Sequence, residues 1–170
     1  MATATLVSLE KYLSTSYRPD REFLDGEVVE RHMGKWDHAR LQALLTGWFL
    51  QHEAEWRIQV ATEWRTQVSP SRVRIPDLVL VGAGVQPDVL VAPPVLVVEI
   101  LSPDDSYSDT QRRADDYLAM GAQSIWIVDP ATRTARVCAV RTWEQTTRLE
   151  VAGTPIFVEL DTLFAALDRR

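Results

Sequence analysis

A chain of 170 residues with 46% hydrophobic content has the size and apolar material of one packed domain, and a net charge of −6 excludes a general electrostatic grip on polyanions, which comes from Lys and Arg neutralising phosphates. No stretch approaches the roughly 20 apolar residues of a membrane span, residues 1–30 lack the basic start, apolar run and small-residue cleavage site of a leader, and the single cysteine, Cys138, can form no internal disulfide. The expectation is a single domain over residues 1–170, cytoplasmic and without a membrane partner.

Residues 6–17 have the spacing of a short amphipathic helix. Residues 21–31 read as a β-hairpin, because Asp25-Gly26 is a favoured two-residue turn flanked by Phe23, Leu24, Val28 and Val29, with Glu27 directly after it. From Asp37, as N-cap, the residues Leu41, Leu44, Leu45, Trp48, Phe49 and His52 recur at spacings of three and four and predict the first long helix. Residues 56–67, 74–81 and 95–101 then read as three strands bounded by Ser, Pro or Gly. The third is apolar on both faces and belongs in the middle of a sheet. Ser108-Asp109-Thr110-Gln111 has the form of a capping box, opening a helix that runs to Met120 and stops at Gly121. Beyond it come a strand over 124–128, a turn at Asp129-Pro130 into 134–140, a pairing strand over 147–151 and a short helix over 161–167. This order predicts an α/β fold, a mixed β-sheet flanked by helices.

Glu99 is the anomaly of the third strand. Every neighbour in Val95-Leu96-Val97-Val98-Glu99-Ile100-Leu101 is apolar, and a bare carboxylate loses several kcal/mol of hydration on burial. It requires a metal ion, an arginine or a cluster of backbone donors. Asp77 follows Pro76, and alternation places Ile75, Asp77, Val79 and Val81 on one face. Pro76 has no amide hydrogen and so marks an edge, a start or a bulge. By itself Pro-Asp is an ordinary turn. Two apolar segments that each carry one acid, joined by a crossing through Pro87, Pro93 and Pro94, can nevertheless pair as neighbours and bring both carboxylates to one point. Such oxygen ligands suit Mg²⁺ or Mn²⁺, completed by waters and substrate phosphate oxygens, and a metal so held supports phosphodiester hydrolysis.

Other side chains read more blandly. His38 shares a helix face with Leu41 and Leu45 and either packs on the core or looks into a cleft; Asp104 and Asp105, just past the third strand, are near enough to join a metal site and otherwise read as solvated loop acids; Trp48, Trp126 and Cys138 read as core. Nucleotide-binding, zinc-protease and serine-hydrolase motifs do not occur.

Pro76-Asp77 followed by Glu99 in an apolar strand resembles the PD-(D/E)XK nuclease superfamily. The wider set is more specific: Leu24-Asp25-Gly26-Glu27, Ile75-Pro76-Asp77, Val98-Glu99-Ile100-Leu101-Ser102-Pro103, Asp116-Tyr117 with Gly121, and Trp126-Ile127-Val128-Asp129-Pro130 together resemble the Uma-type family of restriction endonucleases over about residues 8–140. The resemblance implies a restriction-endonuclease-like fold, a Mg²⁺-dependent endonuclease site acting on DNA, and a homodimer. It assigns Asp77 and Glu99 as the two metal acids and Glu27 as a third acid that ligates or orients water. The lysine of Glu-X-Lys is absent, since Leu101 stands in its place. The following helix offers Arg112 and Arg113, and the resemblance puts a cation at Arg113. Against that stands a structural reading in which Arg112 pairs with Asp116 and Arg113 stacks toward Tyr117.

Overall fold

The computed structural model describes residues 6–31, 34–139 and 142–169. Its elements follow in the order α1 (Leu9–Leu13), β1 (Arg21–Leu24), β2 (Glu27–Glu30), α2 (Trp36–Trp56), β3 (Ile58–Thr62), β4 (Thr66–Ser69), β5 (Arg72–Arg74), β6 (Leu78–Gly82), β7 (Leu96–Ile100), α3 (Tyr107–Met120), β8 (Ser124–Asp129), β9 (Thr134–Ala139), β10 (Thr142–Thr146), β11 (Arg148–Glu150), β12 (Phe157–Glu159) and α4 (Leu160–Leu167). A six-stranded sheet of order β10-β9-β8-β7-β6-β3 forms the centre, parallel between β7 and β8 and antiparallel elsewhere. A smaller antiparallel sheet, β2-β1-β5-β4, stands beside it, and β11 pairs with β12. The mixed sheet flanked by helices agrees with the sequence expectation.

β7 is buried along its whole length because both faces of the central sheet are covered. On one side Leu41, Leu45 and Phe49 of α2 and Leu163 and Phe164 of α4 pack with Leu78, Leu80, Leu96, Val98 and Trp126. On the other, Ala114 and Tyr117 of α3 pack with Val79, Val97, Ile125 and Ile127. Each such aliphatic side chain contributes about 1.5–3 kcal/mol on burial, so the middle of the sheet is a firm platform for any charged group it carries. Cys138 is a buried free thiol of the second cluster, as read.

The hairpin forms as its turn residues dictate. Asp25 and Gly26 both take positive φ (53° and 97°), the requirement of a two-residue turn matched to strand twist, and Leu24 faces Glu27. The strands read as 56–67 and 74–81, however, are each two strands. Trp56 ends α2; the chain then breaks at Glu63, whose φ is 51°, leaving β3 in the central sheet and β4 in the smaller one. Pro76 divides the second run in the same way, β5 from β6, since it offers no amide to the ladder. The Glu63 N–H donates to the Pro76 carbonyl at 3.1 Å, tying the two breaks together.

Several ends also differ. The expected helix over 6–17 shrinks to Leu9–Leu13, capped by Ser8. α2 starts at Trp36 with Lys35 as an N-cap that makes no side-chain bond, which leaves Asp37 in the first turn, where its charge favours the helix dipole. α3 is capped by Ser106, whose hydroxyl accepts from the Asp109 N–H, so Ser108 lies within the first turn. Gly121 ends that helix at φ 98°, as the sequence predicts. The segment over 147–151 pairs with β12 and not with the central sheet. Val140, the last residue of the expected strand over 134–140, lies outside the described residues.

Candidate active site

Asp77 sits at the split between the two sheets, one residue before β6. The β6–β7 ladder pairs Leu78 with Val98, and one further step along this antiparallel register brings Asp77 opposite Glu99. Both therefore point from the face covered by α3, the side of Val79 and Val97. Each is only 2% exposed. The Ile100 N–H, just past the end of the β6–β7 ladder, donates to Asp77 Oδ2 at 2.7 Å, so a carboxylate completes a bond that a strand would otherwise make. The Gln42 side chain donates to the Asp77 carbonyl at 3.0 Å and holds the backbone in place.

Cations reach this acid pair from three elements. Arg31, at the end of the hairpin, donates from Nη2 to Asp77 Oδ1 at 2.9 Å. His38, in the first turn of α2, places Nε2 3.2 Å from Asp77 Oδ2. Arg113, from the middle of α3, stands 3.6 Å from Glu99 Oε2 through Nη1 and 3.2 Å from Asp105 Oδ1 through Nη2. One turn on, the Tyr117 hydroxyl donates to Glu99 Oε1 at 2.7 Å. Asp105 is in turn fixed by the Ser102 N–H at 2.7 Å, its side chain 4% exposed.

The two acids differ in affinity for a proton. Burial raises both, but at Asp77 the hydrogen bond and charge of His38, the charge of Arg31 and the Ile100 N–H outweigh it and hold the carboxyl below its usual range. Glu99 is pushed up to about 7, first by burial and then by the Asp77 charge, against the weaker pull of Arg113, Arg31 and Tyr117. Asp77 thus ionises first and Glu99 last. His38 titrates above its ordinary value, since its bond to Asp77 and that acid's charge overcome the burial that opposes protonation. Burial, and then the Glu99 charge, keep Tyr117 a phenol far above neutrality.

Asp77, Glu99, Arg31, His38, Asp105 and Arg113 line one narrow void of about 10 Å³, close to the room one small particle needs. It lies between two open clefts. One, about 480 Å³, runs past Lys35, Trp36, Ser102 and Pro130; the other, about 240 Å³, runs past Pro19, Arg31, Gln42 and Glu63; His38 borders both. Among the described residues no three His, Cys, Asp or Glu side chains form a ready-made metal cage. Two adjacent buried carboxylates are nonetheless a fitting donor set for Mg²⁺ or Mn²⁺, hard cations that take one or two carboxylates and complete their shell with water and phosphate. The repulsion that keeps a proton on Glu99 is what a dication would relieve.

Of the residues singled out from sequence, the fold brings together Asp77, Glu99 and Arg113. Glu27 is not among them: it is exposed on β2 opposite Leu24, and the hairpin's buried acid is Glu22, bound to Arg74 at 2.7 Å. Arg113 does not merely stack on Tyr117, and Arg112 pairs with Asp109 while Asp116 is taken by Arg72 and Arg74. Arg31 is hidden in the sequence as the last residue of a hairpin, whereas His38 takes the cleft-facing of its two readings and Asp105 the site-joining one.

The family model of Uma2, described as "Putative restriction endonuclease", matches residues 9–164. A crystal structure of a putative nuclease belonging to DUF820 from Anabaena variabilis ATCC 29413 superposes with a TM-score of 0.82 at 19% identity, covering 95% of this chain and 99% of that one. No curated protein matches the chain.

Proposed function

Because the chain belongs to the Uma2 family and shares the fold of a protein described as a putative nuclease, we propose that it is a Mg²⁺- or Mn²⁺-dependent endonuclease that hydrolyses DNA phosphodiester bonds at Asp77 and Glu99. The observation that supports this most is the meeting of two almost fully buried carboxylates from neighbouring strands at a void between two clefts. A purely structural pair of acids would gain nothing from being set side by side, where each raises the cost of ionising the other.

In this reading Asp77 and Glu99 hold the dication, which when bound supplies a water of lowered pKa and neutralises charge on the phosphate. The Ile100 N–H and Tyr117 hydroxyl fix the rotamers of the two acids, so little order must be created on loading. Arg113, braced by Asp105, aims a permanent positive charge at the void and stabilises the anionic phosphorane-like charge of the transition state. It takes the electrostatic part of the absent lysine and cannot act as a base. Glu27 has no part in it. The reading takes residues 1–170 as one domain working in the cytoplasm as a homodimer, and sedimentation of the purified chain tests the last point. Among the described residues no helix is long and apolar enough to cross a membrane.

The test is cleavage of plasmid DNA in Mn²⁺ by the parent and by the D77A and E99A proteins, each shown to be folded. Loss of cleavage in both variants is the expected result, and undiminished rates would reject the assignment. A second reading is favoured by a specific observation: each acid already faces an arginine, and Leu101 stands where a lysine is expected. It is a catalytically impaired homodimer that binds nucleic acid or protein. No rise in melting temperature in millimolar Mn²⁺ would support it, because a ligand of the folded state must stabilise that state.

A further inference from the structure

Arg31 differs from the other arginine on the acid pair in having somewhere else to go. Its side chain is one-fifth exposed, and it borders both the central void and the 240 Å³ cleft. While Nη2 is bonded to Asp77 Oδ1 at 2.9 Å, Nη1 lies 4.0 Å from Oε1 of Glu63, an exposed residue on the cleft side. Arg113, whose side chain is 16% exposed, has no such exit: it bridges Glu99 and Asp105 and borders the void but neither cleft.

The charges at the void also balance as they stand. Asp77, Glu99 and Asp105 face Arg31, Arg113 and the His38 imidazole, so the sum is within about one charge of zero whichever form the imidazole takes. A dication arriving alone at the ionised acids would leave one or two uncompensated positive charges in a largely buried site, a costly state unless an anion follows or a cation leaves. A guanidinium leaving Asp77 Oδ1 frees an oxygen for the metal and turns its donors toward the cleft, where their planar fork matches two phosphate oxygens.

We propose that Arg31 is a phosphate-binding residue kept on Asp77 until the metal displaces it, and that the dication and the phosphodiester consequently bind this site cooperatively. The inference rests on the metal-nuclease reading and adds to it a residue, an order of events and a thermodynamic coupling. By linkage, each ligand raises the affinity of the other by the same factor.

Calorimetric titration of the full chain with Mn²⁺, alone and in saturating dimethyl phosphate as a minimal phosphodiester, tests this on binding without turnover. The parent should bind Mn²⁺ about tenfold more tightly when dimethyl phosphate is present, within the usual span of such couplings. The R31M protein should bind Mn²⁺ alone roughly fivefold more tightly than the parent, with the phosphate enhancement reduced below about twofold. R31K, which keeps the charge but not the fork, should retain the parent's metal affinity and lose most of the enhancement. If Arg31 only orients Asp77, R31M will bind Mn²⁺ more weakly than the parent, and that result overturns the inference, as does an enhancement that survives in R31M. R31Q carries the same comparison should R31M not fold. Absence of Mn²⁺ binding in the parent and in every variant, with or without the phosphodiester, would instead reject the metal-nuclease reading on which the inference depends.

Discussion

Two buried charge clusters lie against α3, and they are built to different degrees of completion. In the first, Arg74 donates to Glu22 Oε2 at 2.7 Å and to Asp116 Oδ2 through Nε and Nη2 at 2.8 and 2.7 Å; Arg72 donates to Asp116 Oδ1 at 3.0 Å, and the Ile75 N–H to Glu22 Oε1 at 3.2 Å. In the second, at Asp77 and Glu99, Asp77 is fully engaged but the cation nearest Glu99 Oε2 stands off at 3.6 Å. The first is a closed structural joint between the hairpin sheet and α3. The second has slack at one oxygen and an acid that keeps its proton to about pH 7, the pattern of a group awaiting another ligand.

That contrast can be broken by mutation. The largest expected effect is on chemistry: Asp77→Asn should lower plasmid cleavage in Mn²⁺ by about 10³-fold or more, about 4 kcal/mol in the barrier, while Arg74→Met leaves the rate per folded molecule near the parent's. The converse holds for folding. Arg74→Met strands two buried acids and should cost about 3–5 kcal/mol in urea unfolding, without changing Mn²⁺ affinity. Equal effects of the two substitutions on both measurements would erase the distinction between the clusters.

A third effect is smaller and depends on pH. Glu99 is raised from an ordinary value near 4.5 to about 7, so between these values the folded state holds a proton that the unfolded state has lost. The associated stability is present below the unfolded value and disappears as pH rises through about 7. His38, also raised, adds a loss in the same direction as pH rises through its folded value, and Asp77, which is lowered, acts oppositely only in acid. Glu99→Gln should therefore match the parent near pH 5 and exceed its stability near pH 8 by up to about 3 kcal/mol in the absence of metal. Indistinguishable melting profiles at the two pH values would show that Glu99 is already satisfied. Smallest is the cap of α3: Ser106→Ala should cost about 1 kcal/mol, and Ser108→Ala less than about half of that.

The acids were legible because burial leaves a local mark. Glu99 among valines and isoleucine, and Asp77 behind a proline, announce themselves within eight residues of sequence. Their partners leave no such local mark: Arg113 is reached only through the family resemblance, and His38 only as one of two readings. His38 and Leu41 lie on one stripe of α2, yet the first turn reaches past the end of the sheet, so the same stripe packs on the core at one end and bonds Asp77 at the other. Arg31 looks like an ordinary solvated charge until strands distant in sequence are laid together. The break at Pro76 is written in its missing amide, whereas the break at Glu63 has no glycine or proline to mark it and is imposed by pairing with two different sheets.

The Ile100 N–H has a use beyond holding Asp77. Because it donates to a side chain and not to a neighbouring strand, its bond lasts only while that carboxylate keeps its present orientation and charge. In a ¹⁵N-labelled sample this single resonance is a resident indicator for the whole site: its shift and solvent exchange follow Asp77 through protonation, loss of Arg31 or arrival of a cation, with no probe attached.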